Sequence, residues 1–291
     1  MHIKLVYNPA AGRGRARRHV DEVERYLVSC GADIDRYAST SPADLTRSVA
    51  ESSAGGYDRV VVCGGDGTVH LAVRDFDLRH GTLGIIPLGS GDDFARVCGI
   101  PRDPQEACDA VLSGETREVD VAIANGVRYV GVAGIGFDSE VAAHAQRVKL
   151  LRGSLVYLYS IFRVLPRFKP HRVRMKIDGV SREEEIMFAV AGNTQQYGGG
   201  IRIVPAAQID DGVLDYCIVH RTSRMQLLKT LPRAYNGSHV RKSYVETGRA
   251  REMKFDSDEV LDVYADGEFV TKTPVRFELE EEKLRVCVPP V

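Results

Sequence analysis

The sequence predicts two domains of unlike architecture: an α/β first domain built on a parallel sheet, and a β-rich antiparallel second domain with helical insertions. Three observations carry this. Short apolar runs at residues 59–63 and 83–86 alternate with helical patterns through about residue 115, the signature of parallel strands joined by crossover helices. From Arg117 onward, extended segments are punctuated by Asn125-Gly126 and Asp178-Gly179, dipeptides of tight hairpins. The length of 291 residues is about twice that of a usual domain. The expected boundary lies between residues 116 and 117, giving domains of 1–116 and 117–291, with the C-terminal end free to return to the first.

In chain order, residues 3–7 read as a strand. A glycine- and arginine-rich loop follows, Asn8-Pro9-Ala10-Ala11-Gly12-Arg13-Gly14-Arg15, and then a helix with Val20, Val23, Tyr26, Leu27 and Cys30 on one face. Gly31 is placed to stop it. Ser41 reads as an N-cap and Pro42 as the first residue of a helix reaching about Ser52. Residues 59–63 are a buried strand, 68–76 a helix, 83–86 a strand and 105–112 a helix. In the second half, 120–124 and 127–133 flank the first hairpin turn, and 173–177 and 185–191 the second. Further strands are expected at 214–219, 260–264, 275–279 and 284–288, and helical insertions at 140–164 and 223–235.

Hydrophobic residues at 44% and charged residues at 27% are near the globular average and argue against a disordered or disulfide-dominated chain. The 39 Lys plus Arg against 40 Asp plus Glu give a net charge of −1, so nothing global points to nucleic acid. The six cysteines form no C-x-x-C pair or Cys/His cluster, so reduced core residues are expected. No apolar run approaches the ~18 residues needed to cross a bilayer, and the N-terminus reads as a strand, not a signal peptide. A cytoplasmic protein is expected.

Gly64-Gly65-Asp66-Gly67-Thr68 follows a buried strand and opens a helix. Its glycines permit close backbone approach, and its amides face an anion at a helix N-terminus. A carboxylate there suits a phosphate only with a cation between them, which suggests a Mg²⁺-nucleotide. A tight strand-to-helix turn is the plainer alternative. Pro87-Leu88-Gly89-Ser90-Gly91-Asp92-Asp93-Phe94-Ala95-Arg96 repeats the arrangement after the next strand, and two such loops would line one crevice.

These segments occur in order with Asn8-Pro9, Gly134-Ile135-Gly136-Phe137-Asp138, Tyr197-Gly198-Gly199-Gly200, Asp210-Asp211-Gly212-Val213-Leu214-Asp215 and Asp266-Gly267-Glu268. Together they resemble the diacylglycerol kinase catalytic family, specifically bacterial soluble lipid kinases related to sphingosine and ceramide kinases, over essentially the whole chain. The resemblance implies a first domain like those of phosphofructokinases and NAD kinases, a second domain for lipid and metal, ATP in the cleft between them, and γ-phosphate transfer to a lipid hydroxyl. It implies nucleotide contacts at Asn8, Ser39, Thr40, Gly64, Gly65, Asp66, Gly67, Thr68, Val69, His70 and Ser90. Asp66 and Asp120 match acidic positions of the catalytic Mg²⁺ network. Gln208, Asp211 and Val213 match a structural Mg²⁺ site, Gln208 and Val213 through their carbonyls. Glu268 matches the general base, with Asp66 a rival. His70, Leu71 and Asp92 depart from the common pattern, and His70 and Ser90 are choices also seen in sphingosine kinases.

Residues 144–176 hold nine Lys or Arg and no acid, interleaved with apolar residues. Such a segment suits peripheral docking on anionic lipid, at about 1 kcal/mol per surface cation, or a core helix with a solvated face. Two other functions stay open: a kinase of a soluble hydroxyl compound, as in NAD kinases, and a non-catalytic, nucleotide-regulated lipid-binding protein.

Overall fold

The structure, a computed structural model, describes residues 1–148 and 154–290. They form two compact units, Met1–Val121 with Glu281–Val291, and Ala122–Glu280.

The first unit holds β1 (His2–Tyr7), α1 (Ala11–Ser29), β2 (Asp33–Ala38), α2 (Pro42–Ala54), β3 (Arg59–Gly64), α3 (Asp66–Val73), β4 (Leu83–Pro87), α4 (Asp93–Val97), α5 (Pro104–Leu112) and β5 (Thr116–Val119). Its six-stranded sheet runs β2-β1-β3-β4-β17-β5, where β17 is Leu284–Cys287. The first four strands and β17 are parallel, and β5 is antiparallel to β17. β3 and β4 are buried along their whole length, as strands covered on both faces must be. Each Val or Ile they bury contributes about 1.5–3 kcal/mol. Ser41 caps α2 by accepting the Asp44 amide, and Asp103 caps α5. The regular part of α1 begins only after Gly12, Arg13 and Gly14, all left-handed.

The unit extends past the expected 116/117 boundary because β5 pairs with β17. The strand β2 carries no apolar alternation. It is an edge strand whose charges are matched locally, Lys4 with Asp35 and Arg36 with Asp21 and Glu24.

The second unit comprises β6 (Ala122–Ala124), β7 (Val127–Tyr129), β8 (Val132–Gly136), α6 (Phe137–Arg147), α7 (Ser154–Val164), β9 (His171–Ile177), β10 (Val180–Gly192), β11 (Leu214–His220), α8 (Arg224–Tyr235), β12 (Val245–Ala250), β13 (Glu252–Ser257), β14 (Asp262–Ala265), β15 (Glu268–Lys272) and β16 (Val275–Leu279). All pairings are antiparallel, in the order β15-β14-β8-β10-β9-β13-β16-β6-β7, with β11 and β12 branching from β10. One apolar core, including Tyr129, Met253, Phe255 and Phe277, lies within the sheet. A second joins the other face of β8, β10 and β11 to α6, α7 and α8. Asn125-Gly126 and Asp178-Gly179 both have two successive positive φ angles, the twist that closes a two-residue hairpin.

Three expectations change. The strand expected at 127–133 is two, β7 and β8, broken where the Asp266 carboxylate accepts the amides of Val130, Gly131 and Val132. The strand expected at 260–264 begins at Asp262, leaving Val260 68% exposed. The basic segment 144–176, read as one amphipathic stretch, is divided among several elements. It spans parts of α6, α7 and β9, and on β9 Arg172 pairs with Glu183 and Arg174 with Asp256 and Asp258. Lys149, Leu150, Leu151 and Arg152 lie outside the described residues.

Candidate active site

The loops at the carboxyl edge of the first sheet carry the residues expected at phosphate. Asn8 follows β1, Ser39 and Thr40 follow β2, residues 64–70 join β3 to α3, and Ser90 follows β4. Strand order reverses between β1 and β3, the position at which open α/β sheets bind ligands. Asn8 accepts the Ala10 amide at 2.9 Å, and Ser39 donates its hydroxyl to the Tyr7 carbonyl at 3.2 Å. Thr40 donates its amide and hydroxyl to Asp44.

The two glycine-rich loops meet backbone to backbone. A Cβ on Gly65 would stand 2.8 Å from Gly89 Cα, and one on Gly89 2.5 Å from Gly65 Cα, so neither position admits a side chain. Asp66 reaches across this contact and accepts the amides of Asp92 at 2.8 Å and Asp93 at 2.6 Å. Burial, with the charges of Asp93 and Asp92, pushes its pKa up to about 6 against the pull of those amides. Thr68, Val69 and His70 are buried and Ser90 is exposed. Asp120, also buried, pairs with Lys283 at 2.8 Å.

Asp92 sits in the left-handed region at φ 54°, which Asn and Asp tolerate better than other side chains. Its buried carboxylate accepts the Gly89 amide at 2.9 Å and pairs with Arg102 at 3.1 Å, while Arg102 also donates to the Ser90 carbonyl. Arg102 thus supplies the cation that an acid in this loop requires, and nothing in its sequence context marks it.

In the second unit, Glu268 opens β15 directly after the Asp266-Gly267 turn. Glu268 is exposed, and Gln146 of α6 donates at 2.9 Å both to its Oε2 and to the Gly267 carbonyl, fixing side chain and turn together. Gln208, Asp211 and Val213 lie between β10 and β11. Asp211 accepts the Val213 amide at 3.3 Å and pairs with Arg249. Nearby Asp215 is buried, its Oδ2 has no hydrogen-bond partner, and burial pushes its pKa up to about 6. Carboxylates with backbone carbonyls are the hard-oxygen set Mg²⁺ takes, and a buried oxygen lacking a donor fits a cation. Among the described residues, no three or more Asp, Glu, His or Cys side chains are grouped so as to hold a metal.

Residues 2–124 match the diacylglycerol kinase catalytic domain, and residues 131–288 match the YegS C-terminal NAD kinase beta sandwich-like domain. The chain is 34% identical to a diacylglycerol kinase of Mycobacterium tuberculosis (strain H37Rv), covering 99% of this chain and 95% of that one. The chain belongs to the diacylglycerol kinase family. It is also 28% identical to a diacylglycerol kinase of Bacillus subtilis (strain 168) over 98% of this chain and 96% of the other. The crystal structure of a putative diacylglycerol kinase from Bacillus anthracis superposes with a TM-score of 0.86 at 27% identity, covering 99% of this chain and 95% of that one. Members of the family are lipid kinases, phosphotransferases with an alcohol group as acceptor. Among the described residues no helix is long and apolar enough to cross a membrane.

This diacylglycerol kinase family member also has a cavity of about 70 Å³ in its second unit, walled by Phe137, Tyr157, Ile161, Leu165, Phe188 and Leu231. Its polar lining includes Asp138, which accepts the Tyr197 hydroxyl and whose pKa burial pushes up to about 6. Tyr157 Oη lies 3.1 Å from the position a Cβ on Gly267 would take, so the cavity wall abuts the turn that presents Glu268. Asp138 is visible in sequence as part of its glycine-rich motif, but its burial is not.

Two outcomes are expected. Arg102→Ala should destabilise by about 2 kcal/mol in urea denaturation, because it strands the buried Asp92 charge, and by much less in an Asp92→Asn background, where no charge is left to strand. For Asp138 the folded pKa lies above the unfolded value of 3.8. Its protonated form is therefore favoured by folding, and stability falls as pH rises from about 4 through 6. Asp138→Asn should be more stable than the parent at pH 7.5, by at most about 3 kcal/mol, with the advantage gone below pH 4. Melting temperatures at both pH values check this.

Proposed function

We propose that the protein is an ATP- and Mg²⁺-dependent kinase that transfers the γ-phosphate to a hydroxyl of a diacylglycerol-like or sphingoid lipid. The observation that carries this reading is the small, mostly apolar cavity against the Glu268 turn. A volume well below the several hundred Å³ of a compact-ligand pocket suits the end of a slender acyl chain better than a polar nucleotide-like acceptor. In this reading, the Asp66 and Gly67 amides at the N-terminus of α3 hold phosphate oxygens, and the anchored Asp66 keeps the two loops in register. Glu268 accepts the proton of the attacking hydroxyl, because it is exposed and oriented by Gln146. Asp66 is less suited to that role, since both its oxygens already accept amides. Asp66 and Asp120 would hold catalytic Mg²⁺, and Asp211 with the Gln208 and Val213 carbonyls a structural one. When bound, Mg²⁺ neutralises charge on the transferring phosphoryl group.

Transfer of labelled γ-phosphate should be seen to at least one of diacylglycerol, monoacylglycerol, ceramide and sphingosine. Labelling of soluble acceptors alone would refute the lipid reading. Glu268→Gln should lower kcat at least ~100-fold with little change in the KM for ATP. Wild-type kcat in that variant would remove Glu268 as the base.

We further propose that the protein works at an anionic membrane surface through α7. Leu155, Tyr159 and Phe162 are 58%, 43% and 51% exposed and lie on one stripe of the helix, with exposed Arg163, Arg167 and Lys169 beside or after it. Replacing Tyr159 and Phe162 by Ser should reduce co-sedimentation with phosphatidylglycerol vesicles and leave phosphorylation of detergent-dispersed lipid unchanged. Undiminished sedimentation would refute docking through this helix.

A further inference from the structure

Asp215 is the second residue of β11 and is paired in register with Arg249 of β12. An ordinary cross-strand ion pair would bring the guanidinium within hydrogen-bond distance of the carboxylate. Here it does not. Arg249 gives its Nη2 to Asp211, while its Nε stays 3.8 Å from Asp215 Oδ2, an oxygen with no hydrogen-bond partner. The Asp215 side chain is only 7% exposed, Asp211 17%, and Arg249 53%. Two shielded carboxylates thus converge on one cation that remains half in solvent and does not satisfy both.

A half-exposed guanidinium contributes little net stability to such a pair, and a buried carboxylate oxygen without a donor is a lasting cost. A compact divalent ion can approach oxygens from two acids and from backbone carbonyls at once, which a planar guanidinium cannot. We propose that Asp215 is a second carboxylate ligand of the divalent cation at the 208–215 loop, and that Arg249 is that cation's stand-in, released to solvent when the metal binds. This rests on the reading that Asp211 holds a cation. It adds a ligand to that site and makes metal binding a competition with an internal arginine.

Terbium luminescence of the full chain tests both parts. The chain has 12 Tyr and no Trp, and Tyr216 adjoins Asp215, so excitation at tyrosine reports Tb³⁺ near the loop, with Mg²⁺ added as competitor. The saturable component lost in Asp211→Asn defines the loop site. Asp215→Asn, close in shape and free of the buried charge, should weaken Tb³⁺ and Mg²⁺ binding to that component at least tenfold. Arg249→Gln should strengthen it several-fold. If the parent has no component that Asp211→Asn removes, the cation reading itself falls and the proposal with it. If that component exists but Asp215→Asn binds as the parent does, the ligand assignment is wrong while the cation reading stands. Unchanged or weaker binding in Arg249→Gln would overturn the stand-in role.

Discussion

The first unit depends on an approach too close for any side chain, Gly65 against Gly89. Parallel pairing brings Gly64 of β3 beside Pro87 of β4, so the loops leaving those strands must either diverge or touch. They touch, and Asp66 makes the contact permanent by accepting two amides of the opposing loop. The arrangement is costly. A carboxylate buried beside Asp92 and Asp93 is held against their repulsion, which is why its pKa rises although two amides pull it down. Arg102 offsets part of that charge from the segment between α4 and α5.

The second unit uses the same device for a different end. Asp266 accepts three consecutive amides and so fixes the break between β7 and β8. Its own turn then carries Glu268, and Gln146 grips both the side chain and the preceding carbonyl. Glu268 is therefore exposed without being free to wander. Asp138 and Asp215 extend the pattern to less satisfied acids, both pushed up to about 6 by burial. Apolar replacements would serve folding better at such positions, so a functional demand is the simplest reason for acids to stand there.

How much of this is legible in the sequence follows from where each signal resides. β3 and β4 are readable because strands buried on both faces are continuously apolar. β2 is not, because an edge strand can be Asp-Ile-Asp-Arg-Tyr-Ala and still pair along its whole length with β1. β13 alternates Met253 and Phe255 with charged residues, but as a six-residue strand enclosed by Arg and Asp it offers little apolar contrast. The return of β17 to the first sheet leaves no local trace at all. At the site, the glycine loops announce themselves through spacing, whereas Glu268 is marked only by the family resemblance of Asp266-Gly267-Glu268. Arg102 and Gln146 carry neither mark, since their roles arise from contacts across 10 and 122 positions of chain.

The cationic stretch 144–176 shows what a linear count leaves out. A run of like charge suggests one solvated or lipid-facing surface, yet Arg172 and Arg174 on β9 are already matched by acids from neighbouring chain. What distinguishes α7 is that it is apolar on two sides. Tyr157, Ile161 and Leu165 face the cavity, while Leu155, Tyr159 and Phe162 do not. Periodicity alone reads a helix apolar all round as a core helix. Once one face is known to wall a cavity, the other face requires a second apolar environment or stands as a persistent exposed patch. Arg163, Arg167 and Lys169 are exposed at the same end, and their charge is the reason we propose an anionic surface as that environment over a neutral one.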